Sequence, residues 1–196
     1  MPFRRVVVGV DFSAASLAAA RWVATQLAPR AEIVLVHVLP EPEAPPFVRP
    51  YLPALLETVS DVAPALYGGL RGVAELTGVD RTRIELLAGA PADGLALAAA
   101  ECEADLICLG RTRSRRGGAR FGATAAQRVL ARTRVPVLVV PSASAAAAPL
   151  KIVAALDGGA AGRSVAEAAW TVARSREARV EALHVLGPEL RGLVRA

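Results

Sequence analysis

Residues 104–141 decide the fold and consist of four consecutive segments: ADLICLG (104–110), RTRSRRGGARFGAT (111–124), AAQRVLARTR (125–134) and VPVLVVP (135–141). The pattern predicts a buried strand, a loop rich in glycine and arginine, a helix and a second buried strand. This order brings a loop and a helix N-terminus to the carboxyl edge of a parallel sheet, where open α/β sheets bind ligands. Helix N-termini present free N–H groups and partial positive charge, so the edge suits a phosphate.

The rest of the first 141 residues repeats this alternation of strands and helices. Three further apolar runs predict strands: RVVVGVD at 5–11, EIVLVHVL at 32–39 and RIELLA at 83–88. Helices are predicted at 14–27, where Ser13 can cap the start, at 55–76, with an interruption near Pro64 and Gly68–Gly69, and at 92–103. Residues 40–53 are rich in proline and predict an extended loop. The alternation predicts a doubly wound parallel α/β sheet.

Bulk composition narrows the class of protein. The chain has 196 residues, of which 54% are hydrophobic and only 4% aromatic, which suits a parallel sheet covered by alanine-rich helices. No apolar run approaches the roughly 20 residues of a membrane span. The opening MPFRRVVVGV lacks the apolar segment of a signal peptide, so we expect a cytoplasmic protein without a membrane partner.

The two cysteines and two histidines show no metal-binding spacing. Cys108 lies in the apolar run LICLG and is predicted to be a core residue, and Cys102 lies on the preceding helix. His37 lies in a predicted strand with no acid or nucleophile arranged around it by spacing, so a structural role is favoured over catalysis. We predict no catalytic residue and no metal site beyond the magnesium that accompanies a nucleotide.

The net charge is +5, and much of the positive charge lies in one loop. Its arginines are Arg111, Arg113, Arg115, Arg116 and Arg120. Two interpretations stay open: a solvated loop, or an anion site. Nucleic acid is disfavoured because the loop offers only Phe121 for stacking on a base.

A low-complexity segment, SASAAAAP at 142–149, predicts a linker, after which the chain begins again. LKIVAALDGGAAGRSVAEAAW resembles RRVVVGVDFSAASLAAARW, so that Asp157 matches Asp11, Trp170 matches Trp22 and His184 matches His37. We therefore predict a first domain at 1–141, a linker at 142–149 and a partial second repeat at 150–196 that stops after strand, helix and strand. Such a fragment exposes apolar faces unless it packs on the first domain or on a partner chain.

The first 141 residues resemble the universal stress protein family through VVVGVDFS, VHVLPE, GAPADGL, ADLICLG and RVPVLVVP. The resemblance implies a five-stranded parallel sheet in the order 3-2-1-4-5 and dimerisation through the fifth strand. Many members are tandem repeats, and some bind ATP. It also implies that Asp11 lies near adenine and ribose, with Gly9, Val38 and Leu109 lining the base pocket.

The family's nucleotide signature is glycine, two residues, glycine, nine residues, glycine, then serine or threonine. Gly110 and Thr124 fill the first and last positions, whereas Arg113 and Ala123 stand at the two other glycine positions. A side chain at Arg113 blocks close backbone approach to a phosphate, yet its guanidinium can hold phosphate through charge-assisted hydrogen bonds. The loop has therefore either lost the ability to bind ATP or binds an anion through arginine.

Three functions remain open on the sequence. The first is a stress-response regulator that binds an adenine nucleotide such as ATP weakly, without rapid turnover. The second is a member that binds no nucleotide and acts as a homodimeric interaction module for a protein partner that the sequence does not identify. The third and weakest is an enzyme that hydrolyses nucleotide, for which the chain supplies no assigned general base.

Overall fold

The computed structural model describes residues 3–39, 52–78, 81–111, 124–141, 151–156, 159 and 161–184. The fold divides into two compact units, of which the first contains the five-stranded sheet and the second the C-terminal strands and helix. The predicted linker at 142–149 lies outside the described residues, and the predicted domain borders stay predictions. Within the described ranges, no helix is long and apolar enough to cross a membrane.

Five parallel strands form the sheet of the first unit. They are β1 (Arg5–Gly9), β2 (Glu32–Leu39), β3 (Thr82–Ala88), β4 (Leu106–Arg111) and β5 (Val137–Pro141). Their spatial order is β3-β2-β1-β4-β5, and every pairing is parallel, which confirms the predicted fold class. The strands follow the apolar runs because a central parallel strand is covered on both faces. Val6, Val7 and Val8 of β1 are accordingly all 0% exposed.

Helices connect these strands. They are α1 (Ala14–Trp22), α2 (Leu52–Thr77), α3 (Pro91–Glu101) and α4 (Ala125–Leu130). Ser13 caps α1 as predicted, because its side chain accepts a hydrogen bond from the backbone N–H of Ser16. The first predicted helix does extend to Leu27, but Val23–Leu27 forms a π-helical turn in place of the last α-helical residues.

The second helix differs from its predicted form. The sequence predicted an interruption near Pro64, whereas α2 continues through that residue, and it begins at Leu52, inside the predicted proline-rich loop. A proline removes one N–H and crowds the preceding turn, but the apolar stripe on either side continues at helical spacing. Leu70 and Val73, beyond the proline, are 0% and 5% exposed, so packing holds this half of the helix on the sheet.

The second unit is a strand, a helix and a parallel strand: β6 (Lys151–Leu156), α5 (Ala161–Arg176) and β7 (Arg179–His184). This confirms the predicted C-terminal β-α-β fragment. Its core is small, because Ala154 and Ala173 are the only buried residues among those described in this unit. The strands carry unpaired edges on both sides within the described part of the unit.

The two tryptophans matched by sequence do not lie in equivalent environments. Trp22 is 7% exposed, whereas Trp170 is 60% exposed. Two residues more separate the aspartate from the tryptophan in the second copy than in the first, so the helix turns to a different face before the tryptophan is reached. The match of Trp170 to Trp22 in the sequence is therefore not a match in structure.

Candidate functional site

The candidate site lies at the carboxyl edge of the sheet, between β1 and β4. The chain leaves β1 toward β2 on one side and leaves β4 toward β5 on the other, so the two connections diverge and open a crevice. Open α/β sheets bind ligands at such a switch point. Gly9 pairs with Leu109 across this edge, and Asp11 follows two residues after Gly9.

Asp11 presents an ionised carboxylate at this crevice. Its Oδ1 accepts a hydrogen bond of 3.0 Å from the backbone N–H of Ser13, and its own N–H lies 3.3 Å from the Ser16 hydroxyl oxygen. Partial burial acts to raise the pKa of Asp11, but hydrogen bonds from Ser13 and Ser16 outweigh it, and the pKa lies below its usual value. The carboxylate is exposed and ready to accept hydrogen bonds from a ligand.

The loop after β1 is held in a conformation that costs energy. Phe12 has a φ of 58°, in the left-handed region that a residue with a side chain rarely adopts. Its ring centroid lies 4.9 Å from that of His37, and a Cβ at Gly69 of α2 would lie 2.9 Å from its Cε1. These contacts offset the cost of the backbone conformation between Asp11 and Ser13.

His37 ties β2 to the same loop. Its Nδ1 lies 2.6 Å from the carbonyl oxygen of Val10, and because a carbonyl only accepts, Nδ1 carries the proton. His184 makes the same contact in the second unit, where Nδ1 lies 2.6 Å from the carbonyl oxygen of Leu156. Because the histidine makes this contact in both units, it has a structural role there: it joins one strand to the end of the neighbouring strand by a hydrogen bond. This agrees with the structural role favoured from the sequence.

The predicted base-pocket residues lie together on one face of the sheet. Val38 and Leu109 are each 8% exposed and belong to the hydrophobic cluster that packs under α3. A Cβ at Gly9 would lie 2.8 Å from Cδ2 of Leu109, so the glycine lets this leucine lie across the strand. The structure brings Gly9, Val38 and Leu109 to the same face of the sheet, near its carboxyl edge.

Gly110 has a packing role that the sequence did not reveal. A Cβ at this position would lie 2.3 Å from both the carbonyl carbon and the oxygen of Ala15, and 2.5 Å from the N of Ser16. These are backbone atoms at the start of α1, so β4 and α1 meet too closely for any side chain. The glycine is required by this helix contact, independently of any phosphate.

Thr124 caps α4. Its hydroxyl oxygen accepts a hydrogen bond of 3.3 Å from the N–H of Gln127, and its own N–H donates to Gln127 Oε1 at 2.7 Å. This reciprocal pair is a capping box, which satisfies two N–H groups at the helix start. The hydroxyl proton of Thr124 can still be donated to an anion, because the cap uses the oxygen only as an acceptor.

The remaining predicted site residues, Arg113 and Ala123, lie outside the described residues together with the rest of the loop at 112–123. Among the described residues, no group of three or more His, Cys, Asp and Glu side chains is placed to hold a metal ion. Cys108 is fully buried, as predicted, and burial raises the pKa of its thiol to about 12. This thiol is therefore protonated and belongs to the core.

The sequence analysis missed Phe12, Ser16 and Gly69. Ser16 is 3% exposed, and its hydroxyl both contacts the Asp11 N–H and donates to the carbonyl of Ser13. A serine three residues after a capping serine is a weak signal for such a role. Phe12 carries no signal at all, because its left-handed backbone conformation depends on α2 and His37.

Comparison with known proteins agrees with this geometry. The model of the universal stress protein family matches residues 2–141. A search of curated proteins found no match. Because the family model covers well over half of the sequence, the chain belongs to the universal stress protein family.

Solved structures share the fold at low sequence identity. A universal stress protein in complex with cAMP is 23% identical, with a TM-score of 0.51, over 71% of this chain and 98% of its own. A universal stress protein from Archaeoglobus fulgidus DSM 4304 is 16% identical, with a TM-score of 0.67, over 97% of this chain and 71% of its own. UspA from Lactobacillus plantarum is 22% identical, with a TM-score of 0.50, over 70% of this chain and 97% of its own.

Proposed function

We propose that this chain is a stress-response regulator that binds an adenine nucleotide weakly at the crevice between β1 and β4. The observation that carries the proposal is the exposed Asp11 carboxylate, kept ionised at the switch point by Ser13 and Ser16. In doubly wound α/β folds, carboxylates at the carboxyl edge of the sheet accept hydrogen bonds from ribose hydroxyls. The cAMP found in a protein of similar fold supports an adenine nucleotide as the ligand to test.

The phosphate end of the site explains why binding is weak. Thr124 offers one hydroxyl proton, and Gly110 is committed to the contact with α1. Arg113 and Ala123 stand where the family signature has glycines, so an arginine side chain replaces backbone N–H groups as the partner of phosphate. Magnesium would enter only with the nucleotide, on its phosphates.

Calorimetry with ATP and ADP, each with and without magnesium, tests the proposal. The unmodified chain is expected to release or absorb heat and to gain thermal stability at millimolar nucleotide, because a ligand of the native state stabilises it by mass action. Asp11→Asn should weaken binding at least about tenfold, which corresponds to about 1.4 kcal/mol. Glu75→Gln, which removes one exposed charge on α2, serves as the matched control and should leave binding unchanged.

Absence of both heat and thermal shift at millimolar nucleotide would overturn the proposal. Equal binding by the Asp11 and Glu75 variants would remove Asp11 from the site. The expected lack of rapid turnover is checked by phosphate release from ATP, where sustained multiple turnovers would establish an enzyme. The cytoplasmic location stays a prediction.

A second candidate is a homodimeric interaction module that binds no nucleotide. Gly110 and Thr124, the two matching positions of the nucleotide signature, both have structural roles that need no ligand. β5 lies at the edge of the sheet with Val137, Leu138 and Val139 only partly buried, as a pairing edge would be. Light scattering on Val139→Lys tests this candidate: a change from dimer to monomer supports it, and an unchanged mass contradicts it.

A further inference from the structure

The outward side of α5 carries an exposed tryptophan between charged residues. Trp170 is 60% exposed and lies on one helical stripe with Glu167, three residues before it, and Arg174, four residues after it. Both charged residues are exposed. The side of the helix that packs on β6 and β7 carries alanines, of which Ala173 is 3% exposed.

Incomplete coverage of the sheet formed by β6 and β7 does not account for the exposure of this tryptophan. The alternation of more and less exposed residues in the second half of α5 matches that of the chain from α1 into its π-helical turn when Ala168, Ala169 and Ala173 take the places of Ala19, Ala20 and Ala24. Trp170 then falls at the place of Arg21, which is exposed even though the first unit is complete. A strand or helix added to β6 or β7 would cover the sheet and leave Trp170 in water.

Exposed tryptophans surrounded by charged residues are typical of protein interfaces, where an aromatic anchor is buried inside a polar rim. The charges next to Trp170 indicate which partner fits. Two parallel copies of α5 would bring Glu167 onto Glu167 and Arg174 onto Arg174, which is repulsive. Two antiparallel copies with the twofold axis beside Trp170 bring each Glu167 onto the Arg174 of the other copy.

We propose that α5 docks antiparallel on α5 of a second copy of this chain, with the two Trp170 side chains at the centre and two Glu167–Arg174 pairs around them. The contact is independent of the nucleotide site and distinct from an edge contact through β5. A single helix pair buries less than a standard interface of about 1,600 Å², so the association is weak and depends on concentration.

Acrylamide quenching of tryptophan fluorescence, measured on the full chain together with its mass in solution, tests the proposal. Trp22 is 7% exposed, so the quenchable emission comes from Trp170, and Trp170→Phe provides the blank. Quenching should fall at least twofold as the protein concentration rises from micromolar to millimolar. Either Glu167→Arg or Arg174→Glu alone should abolish this protection. Each single change puts two like charges opposite one another in both symmetry-related pairs of the dimer.

The double variant E167R/R174E should restore the protection, because the pairs form again with reversed sign. Arg21→Glu is the control: it reverses an exposed arginine charge on α1, outside the α5 stripe, so protection should persist. Quenching that does not change with concentration, or a double variant that behaves like the single ones, overturns the proposal. Protection at every dilution with a monomeric mass also overturns it, because Trp170 would then be covered within its own chain.

Discussion

The β1–α1–β2 unit of the main sheet and the β6–α5–β7 unit share a local layout but differ in environment. The strand registers begin at equivalent pairs, Arg5 with Glu32 and Lys151 with Arg179, and the same histidine tie follows in each. Yet Val7 is 0% exposed, whereas the corresponding Val153 is 52% exposed. The same β-α-β layout therefore occurs in both units, but burial of its strands requires the flanking strands and α3.

The two units also differ in the polarity of the sheet face that α3 covers in the first unit. Val34, paired with Val7 in the main sheet, is 0% exposed. The corresponding residue of the second unit is Glu181, paired with Val153, and its carboxylate lies 2.7 Å from the ammonium of Lys151. A helix packed here would have to bury this ion pair, which is costly.

Gly110→Ala should have the largest effect, because the contact between β4 and α1 has no counterpart in the described part of the second unit. The new Cβ would overlap backbone atoms of Ala15 and Ser16, and backbone cannot rotate away. We expect a loss of about 3 kcal/mol of unfolding free energy, at the upper end for overpacked sites. Urea denaturation measures it, with Gly72→Ala as control: that Cβ meets open space within a helix, so a gain of about 0.5–1 kcal/mol is expected.

Val7→Ala and Val153→Ala compare the two units directly. Loss of two buried methyl groups at Val7 removes transfer free energy and leaves a cavity, so we expect a cost of about 2 kcal/mol. At the half-exposed Val153 the same change should cost at most about 0.5 kcal/mol. Equal costs in urea denaturation would mean that Val153 is covered in solution, and the contrast between the units would fail.

His37→Leu and His184→Leu test the shared tie. Removal of His37 leaves the carbonyl of Val10 without this partner in a half-buried loop, so we expect a loss of about 1 kcal/mol. The corresponding contact of His184 is exposed, and water can replace it, so the loss there should be smaller. His37→Asn, whose amide N–H can reach the same carbonyl, is expected to retain part of the stability. A larger loss at His184 than at His37 would contradict this order.

The pH dependence of Asp11 should be the smallest effect. Its pKa in the folded chain lies below its ordinary value, so the stability it contributes is present above that ordinary value and is lost as pH falls through the folded pKa. As pH is lowered from neutral to about 3, the melting temperature of the unmodified chain should therefore fall more steeply than that of Asp11→Asn. Identical slopes of melting temperature against pH would show that hydrogen bonds from Ser13 and Ser16 to the ionised carboxylate do not stabilise the fold.

Much of this fold could be predicted from the sequence, since parallel strands buried on both faces are continuous apolar runs. β2 begins and ends where EIVLVHVL predicts, and Ser13 and Thr124 cap their helices as such residues do. The site was less predictable. Asp11 at a strand end was visible in the sequence, but the left-handed conformation of the adjacent Phe12 is stabilised by contacts from β2 and α2.

Local pattern alone thus determined the elements, their order along the chain and the family, because hydrophobic periodicity and helix caps act between residues a few positions apart. Tertiary structure alone decided that Gly110 serves the contact with Ala15, that Trp170 faces outward and that one valine is buried while its counterpart is exposed. These outcomes depend on segments far apart in sequence that meet only when the sheet is assembled. The same β-α-β sequence pattern therefore produces a buried core in one unit and an open surface in the other.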